Sequence, residues 1–335
     1  MYNDIAYIYG GINNSKNVEP LELIGFDLKT LSFFIPDNII NSREVKKRYY
    51  HSAVIFKHNM IIQGGIELNL SLIQKETVLD DCYNYNILTG VWEKIYYQGD
   101  SFDCTTGHNS VCVFNKDKYA YNQYDLYFDK NKVNISNLKN NDYNDNLIKH
   151  EGIYFFGGRN SFQDCYSKVK VLDIFKNPCE LLTLKTKGRS PTPRYFASLD
   201  FYSNLNVLIL YGGRNVSGKY YSDIYLLDLQ KVCWISVNLT YKNLTNKILR
   251  YNFDFEDKFT INSNENKSIK YFNTLNRACH TSIIYDDRLL IIGGENEFSL
   301  MPSNILYINL KLDEIKKDST SNNKKLGKYF RMVNK

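Results

Sequence analysis

Asn206-Val207-Leu208-Ile209-Leu210-Tyr211-Gly212-Gly213 joins an uninterrupted apolar run to a pair of glycines. A short run without polar alternation is the pattern of a strand covered on both faces. Glycine lets the chain leave such a strand at positive φ and lets neighbouring backbone come close. Upstream, Arg194-Tyr195-Phe196-Ala197-Ser198 opens a first strand. Downstream, Asp223-Ile224-Tyr225-Leu226-Leu227-Asp228 makes a third and, after a turn through Gln230-Lys231, Cys233-Trp234-Ile235-Ser236-Val237 a fourth. Pro193 to Val237 therefore reads as one four-stranded antiparallel unit.

The doublet recurs behind short apolar runs at Gly10-Gly11, Gly64-Gly65, Gly157-Gly158 and Gly293-Gly294. Gly10 to Gly64 spans 54 residues and Gly157 to Gly212 spans 55, while the intervals of 93 and 81 residues between the others are one period plus an insertion. A period of this length marks an array of small sheets, none of which buries its own faces. Other positions keep the register. Asp228 precedes Trp234 by six residues, as Asn86 precedes Trp92 and Asp27 precedes Phe33; Tyr225 and Tyr83 stand three before Asp228 and Asn86. Asp173 is followed six later by Cys179, a weaker copy. Arg48-Tyr49-Tyr50-His51-Ser52 and Arg277-Ala278-Cys279-His280-Thr281-Ser282 match the opening at Arg194.

Arg-x-x-His-Ser, then Gly-Gly, then a spaced Tyr and Trp resembles the kelch repeat over nearly the whole chain. The resemblance implies an all-β fold, a single kelch-type β-propeller domain over 1–335 built from four-stranded antiparallel blades. It places blades at about 1–40, 46–98, 106–140, 146–186, 192–240 and 275–335. The copy at 106–140 is degenerate: His108 to Phe114 reads as a first strand, but Tyr121-Asn122 stands where a doublet is due. Six blades are expected on that reading; if 115–149 is an insertion inside one blade, there are five. The first copy lacks an opening strand before Gly10, so ring closure needs a strand from the far end, such as 328–333. Low-complexity stretches at 115–149, 241–272 and 311–325, with Asn-Asn-Asp-Tyr-Asn-Asp-Asn at 140–146, cannot bury enough apolar surface to order themselves and read as loop insertions.

Composition fits a soluble globular chain, with 43% hydrophobic and 23% charged residues and 28 tyrosines, a number suited to stacked sheets. Met1-Tyr2-Asn3-Asp4 enters a strand at once, with no basic segment followed by a long apolar one, and no window is long and apolar enough to span a bilayer. The expectation is a cytoplasmic or nuclear protein that is neither secreted nor inserted in a membrane. Seven cysteines without paired spacing read as reduced thiols in such a compartment. A net charge of +6 is mild, and Lys46-Lys47-Arg48 and Lys324-Lys325 are too short for the dense basic stripe that nucleic acid requires.

No nucleophile elbow, HExxH, Walker loop or Cys quartet is present, and His51, His108 and His280 share one repeat position that blade packing accounts for. No catalytic residue, cofactor or metal site is assigned, and the chain is expected not to be an enzyme. The kelch resemblance implies instead a loop-built face for a protein partner, with arginines contacting an acidic segment: Arg48, Arg194 and Arg277 at strand openings, Arg159 and Arg214 after the doublets, with Asn160 and Asn215 completing Gly-Gly-Arg-Asn. Guanidinium suits the task because its rigid fork holds a carboxylate by two hydrogen bonds. Ile12, Ile66 and Glu295 interrupt the arginine series. Two alternatives remain at this stage, a propeller-based metal-dependent oxidase or epimerase and a substrate adaptor of a ubiquitin ligase acting with a separate docking subunit.

Overall fold

The computed structural model describes residues 2–12, 23–37, 39–67, 77–103, 105–115, 148–160, 162, 164–237, 275–298, 300, 305–310 and 331–332. Nearly all of 115–149, 241–272 and 311–325, the stretches read as insertions, lies outside them. The described residues form five larger sheets in chain order and one small three-stranded sheet, Arg48–Tyr49, Ile66–Glu67 and Thr77–Val78, joined by turns and one short 3-10 segment at Ser42–Glu44.

The fourth sheet shows the plan. Ser198–Tyr202, Val207–Tyr211, Ile224–Asp228 and Cys233–Val237 pair antiparallel, each strand with the next. The second sheet repeats it with Ser52–Phe56, Asn59–Gln63, Cys82–Asn86 and Val91–Lys94. The fifth does so with Thr281–Tyr285, Arg288–Ile292, Ile305–Asn309 and Arg331–Met332. The first sheet has three strands, Ile5–Tyr9, Leu23–Asp27 and Ser32–Phe34. Residues 331–332 thus form the outer strand of the last sheet rather than filling the inner place in the first, as the closure expectation had it.

The third sheet corrects the reading of 106–140 as a separate blade. Asn109–Val113 pairs with Gly152–Phe156, which continues through Val169–Asp173 to Cys179–Thr183. The opening strand therefore finds its second strand across the 115–149 stretch, which is an excursion within one sheet. Short parallel strands, Tyr97–Gly99 and Lys187–Gly188, add to the outer edges of the third and fourth sheets.

Alternation along each strand binds one sheet to the next. Ile209 and Tyr211 share a core with Leu289, Ile291 and Ile308 of the fifth sheet. Leu208 and Leu210, pointing the other way, share one with Tyr154, Phe156 and Val171 of the third. Ile61 and Cys82 meet Ile153, Phe155 and Leu172, and Met60 and Ile62 meet Tyr9 and Leu23. Four shared cores thus connect five sheets in order, and both faces of each middle sheet are buried. Innermost strands of successive sheets, from Ser52–Phe56 through Asn109–Val113 and Ser198–Tyr202 to Thr281–Tyr285, lie side by side. The arrangement is propeller-like.

Each spaced residue of the repeat has a visible task. The carboxylate or amide between third and fourth strands accepts from the backbone of the turn: Asp228 from Gln230 N and Lys231 N, Asn86 from Leu88 N and Thr89 N, Asp27 from Lys29 N and Thr30 N. The aromatic six residues on reaches the preceding sheet, Trp92 against Tyr9 with centroids 5.0 Å apart and Trp234 against Phe156 at 5.5 Å.

Candidate functional site

The connections between second and third strands, and those entering each first strand, gather at one end of the sheets. The arginines that open the first strands point inward there. Arg48, Arg194 and Arg277 are each 0% exposed. Arg194 forks onto both oxygens of Asp223, with Nη2 3.0 Å from Oδ2, and gives Nη1 to Gly212 O at 2.9 Å and Nε to Thr192 O at 3.0 Å. Arg48 does the same with Asp81, Gly64 O and Lys46 O. Arg277 bonds Gly293 O at 3.1 Å, and burial lowers its pKa. Each guanidinium ties its own doublet to the strand opening, and for Arg48 and Arg194 to the acid ahead of the third strand. Held inside the sheets, these three present no surface to solvent.

Two residues after each arginine position the backbone turns left-handed, at Tyr50 (φ 55°), Gly107 (φ 66°), Phe196 (φ 55°) and Cys279 (φ 56°). Bulky residues avoid this region, at roughly 1–3 kcal/mol each. A chain of backbone hydrogen bonds between neighbouring sheets holds them: Gly107 N to Tyr50 O at 2.9 Å, Phe196 N to Gly107 O at 2.7 Å, Cys279 N to Phe196 O at 3.1 Å. Glycine is needed at 107 because a Cβ there would stand 2.7 Å from the Phe196 ring. Tyr50 is 47% exposed and meets Phe196 edge to face at 4.8 Å.

The residue after each doublet bridges to this tip and to the approach of the third strand: Thr106, Arg159 and Cys165 in the third sheet, Tyr195, Arg214 and Tyr220 in the fourth, Ala278, Glu295 and Leu300 in the fifth. Arg48–Tyr49, Ile66–Glu67 and Thr77–Val78 do so in the second. Arg159 and Arg214, half-buried, flank the Tyr195 ring at 5.7 and 5.1 Å, and Arg214 also lies 5.5 Å from Phe196 and 5.7 Å from Tyr220. Arg214 Nη1 donates to Tyr220 Oη at 2.9 Å and pairs with Glu295 of the next sheet at 3.0 Å. A guanidinium stacked by its face still presents edge donors to a carboxylate.

Asn160 and Asn215 shape the loops rather than reach outward: Asn160 Oδ1 accepts from Asp164 N at 2.8 Å and Asn215 Oδ1 from Lys219 N at 2.9 Å, each four residues on, while Asn296 Oδ1 makes a tighter turn by accepting from Phe298 N two residues on. The loops they close lift apolar side chains into solvent, Phe162 at 85%, Phe298 at 68% and Val216 at 47% exposed. These tips and the left-handed aromatics were not singled out in the sequence; the available signal is an apolar residue placed one to two positions after the motif asparagine.

The histidines at the repeat position pin sheet to sheet. His108 Nε2 lies 2.8 Å from Ser52 Oγ and His280 Nε2 3.0 Å from Ser198 Oγ, each serine belonging to the preceding sheet. Burial lowers the pKa of both to about 3, so the imidazoles are neutral. Among the described residues no three His, Cys, Asp or Glu side chains cluster to hold a metal, and no helix is long and apolar enough to cross a membrane.

The family model described as the KLHDC2/KLHL20/DRC7 Kelch-repeats domain matches residues 146–329, more than half of the sequence, and the chain belongs to that kelch-repeat family. No curated protein matches it significantly.

Proposed function

Starting from membership of the kelch-repeat family, we propose that this chain is a non-enzymatic scaffold or adaptor. Its five sheets act as propeller blades, and it engages a protein partner through the loop end. The carrying observation is the concentration of exposed or half-buried recognition chemistry there: Arg159 and Arg214 around Tyr195, bordered by Tyr50 and Phe196 and overlooked by Phe162 and Phe298. Aromatic and arginine side chains are those that dominate binding energy at protein interfaces. The guanidinium pair flanking Tyr195 favours a partner segment carrying carboxylates between apolar residues, the apolar ones meeting the loop tips. The described cysteines are all free thiols, in keeping with a cytoplasmic or nuclear setting.

Affinity capture from native extract with Arg159→Glu/Arg214→Glu tests this, read beside its thermal midpoint. The proposal expects loss of specific partners from a variant that still folds cooperatively. Full capture by the folded variant would remove the arginines from recognition.

A further inference from the structure

The third sheet lacks the buried ion pair that its neighbours contain. Arg48, Arg194 and Arg277 stand three residues before His51, Ala197 and His280; three before His108 stands Thr105. Asp81 and Asp223 directly precede the third strands of their sheets; Lys168 directly precedes Val169–Asp173. An arginine and an acid are thus replaced by a threonine and a lysine. A cavity of ≈ 20 Å³, about the size that holds one water, lies where the guanidinium would be, lined by Asp103, Thr105, His108, Gly157, Lys168 and Lys170 and bordered on the second sheet by Gln63.

Gln63 occupies the position before the doublet, where Tyr9 and Tyr211 give their hydroxyls to carbonyls of the next strand opening. Gln63 is 1% exposed, and neither its Nε2 nor its Oε1 has a hydrogen-bonding partner within the protein. A buried amide is seldom left in that state, because desolvation without a bond is unfavourable. The charges are also unequal. Lys170 pairs with Asp103 at 3.1 Å, His108 is neutral, and Lys168, exposed at the rim, adds a positive charge, where the second and fourth sheets balance one buried arginine with one aspartate. Phe102 and Phe155, edge to face at 5.0 Å, line the remainder.

We propose that this cavity, between the second and third sheets, binds one small monoanion of chloride size, with Gln63 Nε2, the Thr105 hydroxyl and Lys168 as donors. The anion offsets the excess positive charge that Lys168 and Lys170 leave over Asp103 and satisfies the buried amide, which the guanidinium–carboxylate arrangement of the neighbouring sheets makes unnecessary.

The test is the thermal midpoint of the full chain, titrated with sodium chloride against sodium gluconate at constant ionic strength, gluconate being too large for the cavity. A saturable rise of roughly 2–4 °C with chloride is expected. Lys168→Gln shifts the half-effect to about tenfold higher chloride, and Thr105→Arg/Lys168→Asp, which restores the neighbours' pair, abolishes the response. Should the double variant not fold, Gln63→Tyr, which fills the cavity with the residue of the first and fourth sheets, serves the same purpose. Equal midpoints in chloride and gluconate, or an undiminished chloride response in these variants, overturn the proposal.

Discussion

Gly212 is the contact point of Arg277 across the fourth and fifth sheets. A Cβ on Gly212 would stand 2.6 Å from the Arg277 carbonyl oxygen, and the same oxygen accepts from Gly213 N at 2.8 Å. Every other junction repeats the relation: Gly11 N to Arg48 O, Gly65 N to Thr105 O and Gly158 N to Arg194 O, each at 2.9 Å. The doublets therefore serve both as strand ends and as the seats into which the next sheet's opening carbonyl fits.

Gly212→Ala should be far more harmful than Gly218→Ala. Both positions have positive φ, +66° and +82°, but nothing lies within 4 Å of a Cβ at 218. The control should lose about 1 kcal/mol from backbone strain alone, and Gly212→Ala roughly 3 kcal/mol or more as the junction opens. Chemical denaturation of both variants measures the difference; equal losses would mean that the junction has room to relax.

The two classes of arginine should separate cleanly. Arg48→Ala leaves Asp81, whose side chain is 14% exposed, and Gly64 O without their donors inside the sheet and should destabilise by roughly 3–5 kcal/mol. Arg214→Ala removes a half-buried side chain with a partly solvated Glu295 partner, and should lose at most about 1 kcal/mol while weakening partner capture. Thermal melts of both proteins check the ranking.

Stability should fall as pH drops below about 6.5. Burial lowers the folded pKa of His108 and His280 to about 3 and of His51 to about 4, so the unfolded chain binds protons first and stability present above about pH 6.5 is lost as pH falls below it. Asp200 works the other way, since burial raises its pKa to about 6 and folding gains as pH drops past that value. The net loss between pH 6.5 and 4.5 should be about 5 kcal/mol. Denaturation across this range measures it, and His280→Gln should flatten the slope by nearly half.

The fold was legible where residue type and spacing are local. Val207 to Tyr211 with its doublet fixes a strand and its exit, and Asp228 with Trp234 fixes the turn and ring that follow. The misread sheet is the one whose spacing is not local: Asn109–Val113 meets its second strand only at Gly152, and counting residues from His108 led to Tyr121 instead. The burial of Arg48 and Arg194 depends on Asp81 and Asp223, which lie 33 and 29 residues onward and reach the arginines only once the third strand pairs. Arg159 and Arg214 were legible as a pair, but their approach to the Tyr195 ring, to 5.7 and 5.1 Å, arises between sheets and has no linear signature.

The account rests on recognition at the loop end of the sheets, and site-specific photocrosslinking in native extract tests it most directly. A photoreactive phenylalanine analogue at Phe162 or Phe298 sits on that end; at Leu88, in the turn between third and fourth strands of the second sheet and 57% exposed, it sits on the other. The prediction is partner crosslinks from positions 162 and 298, diminished by Arg159→Glu/Arg214→Glu, and none from 88. Crosslinks from position 88 alone would contradict it.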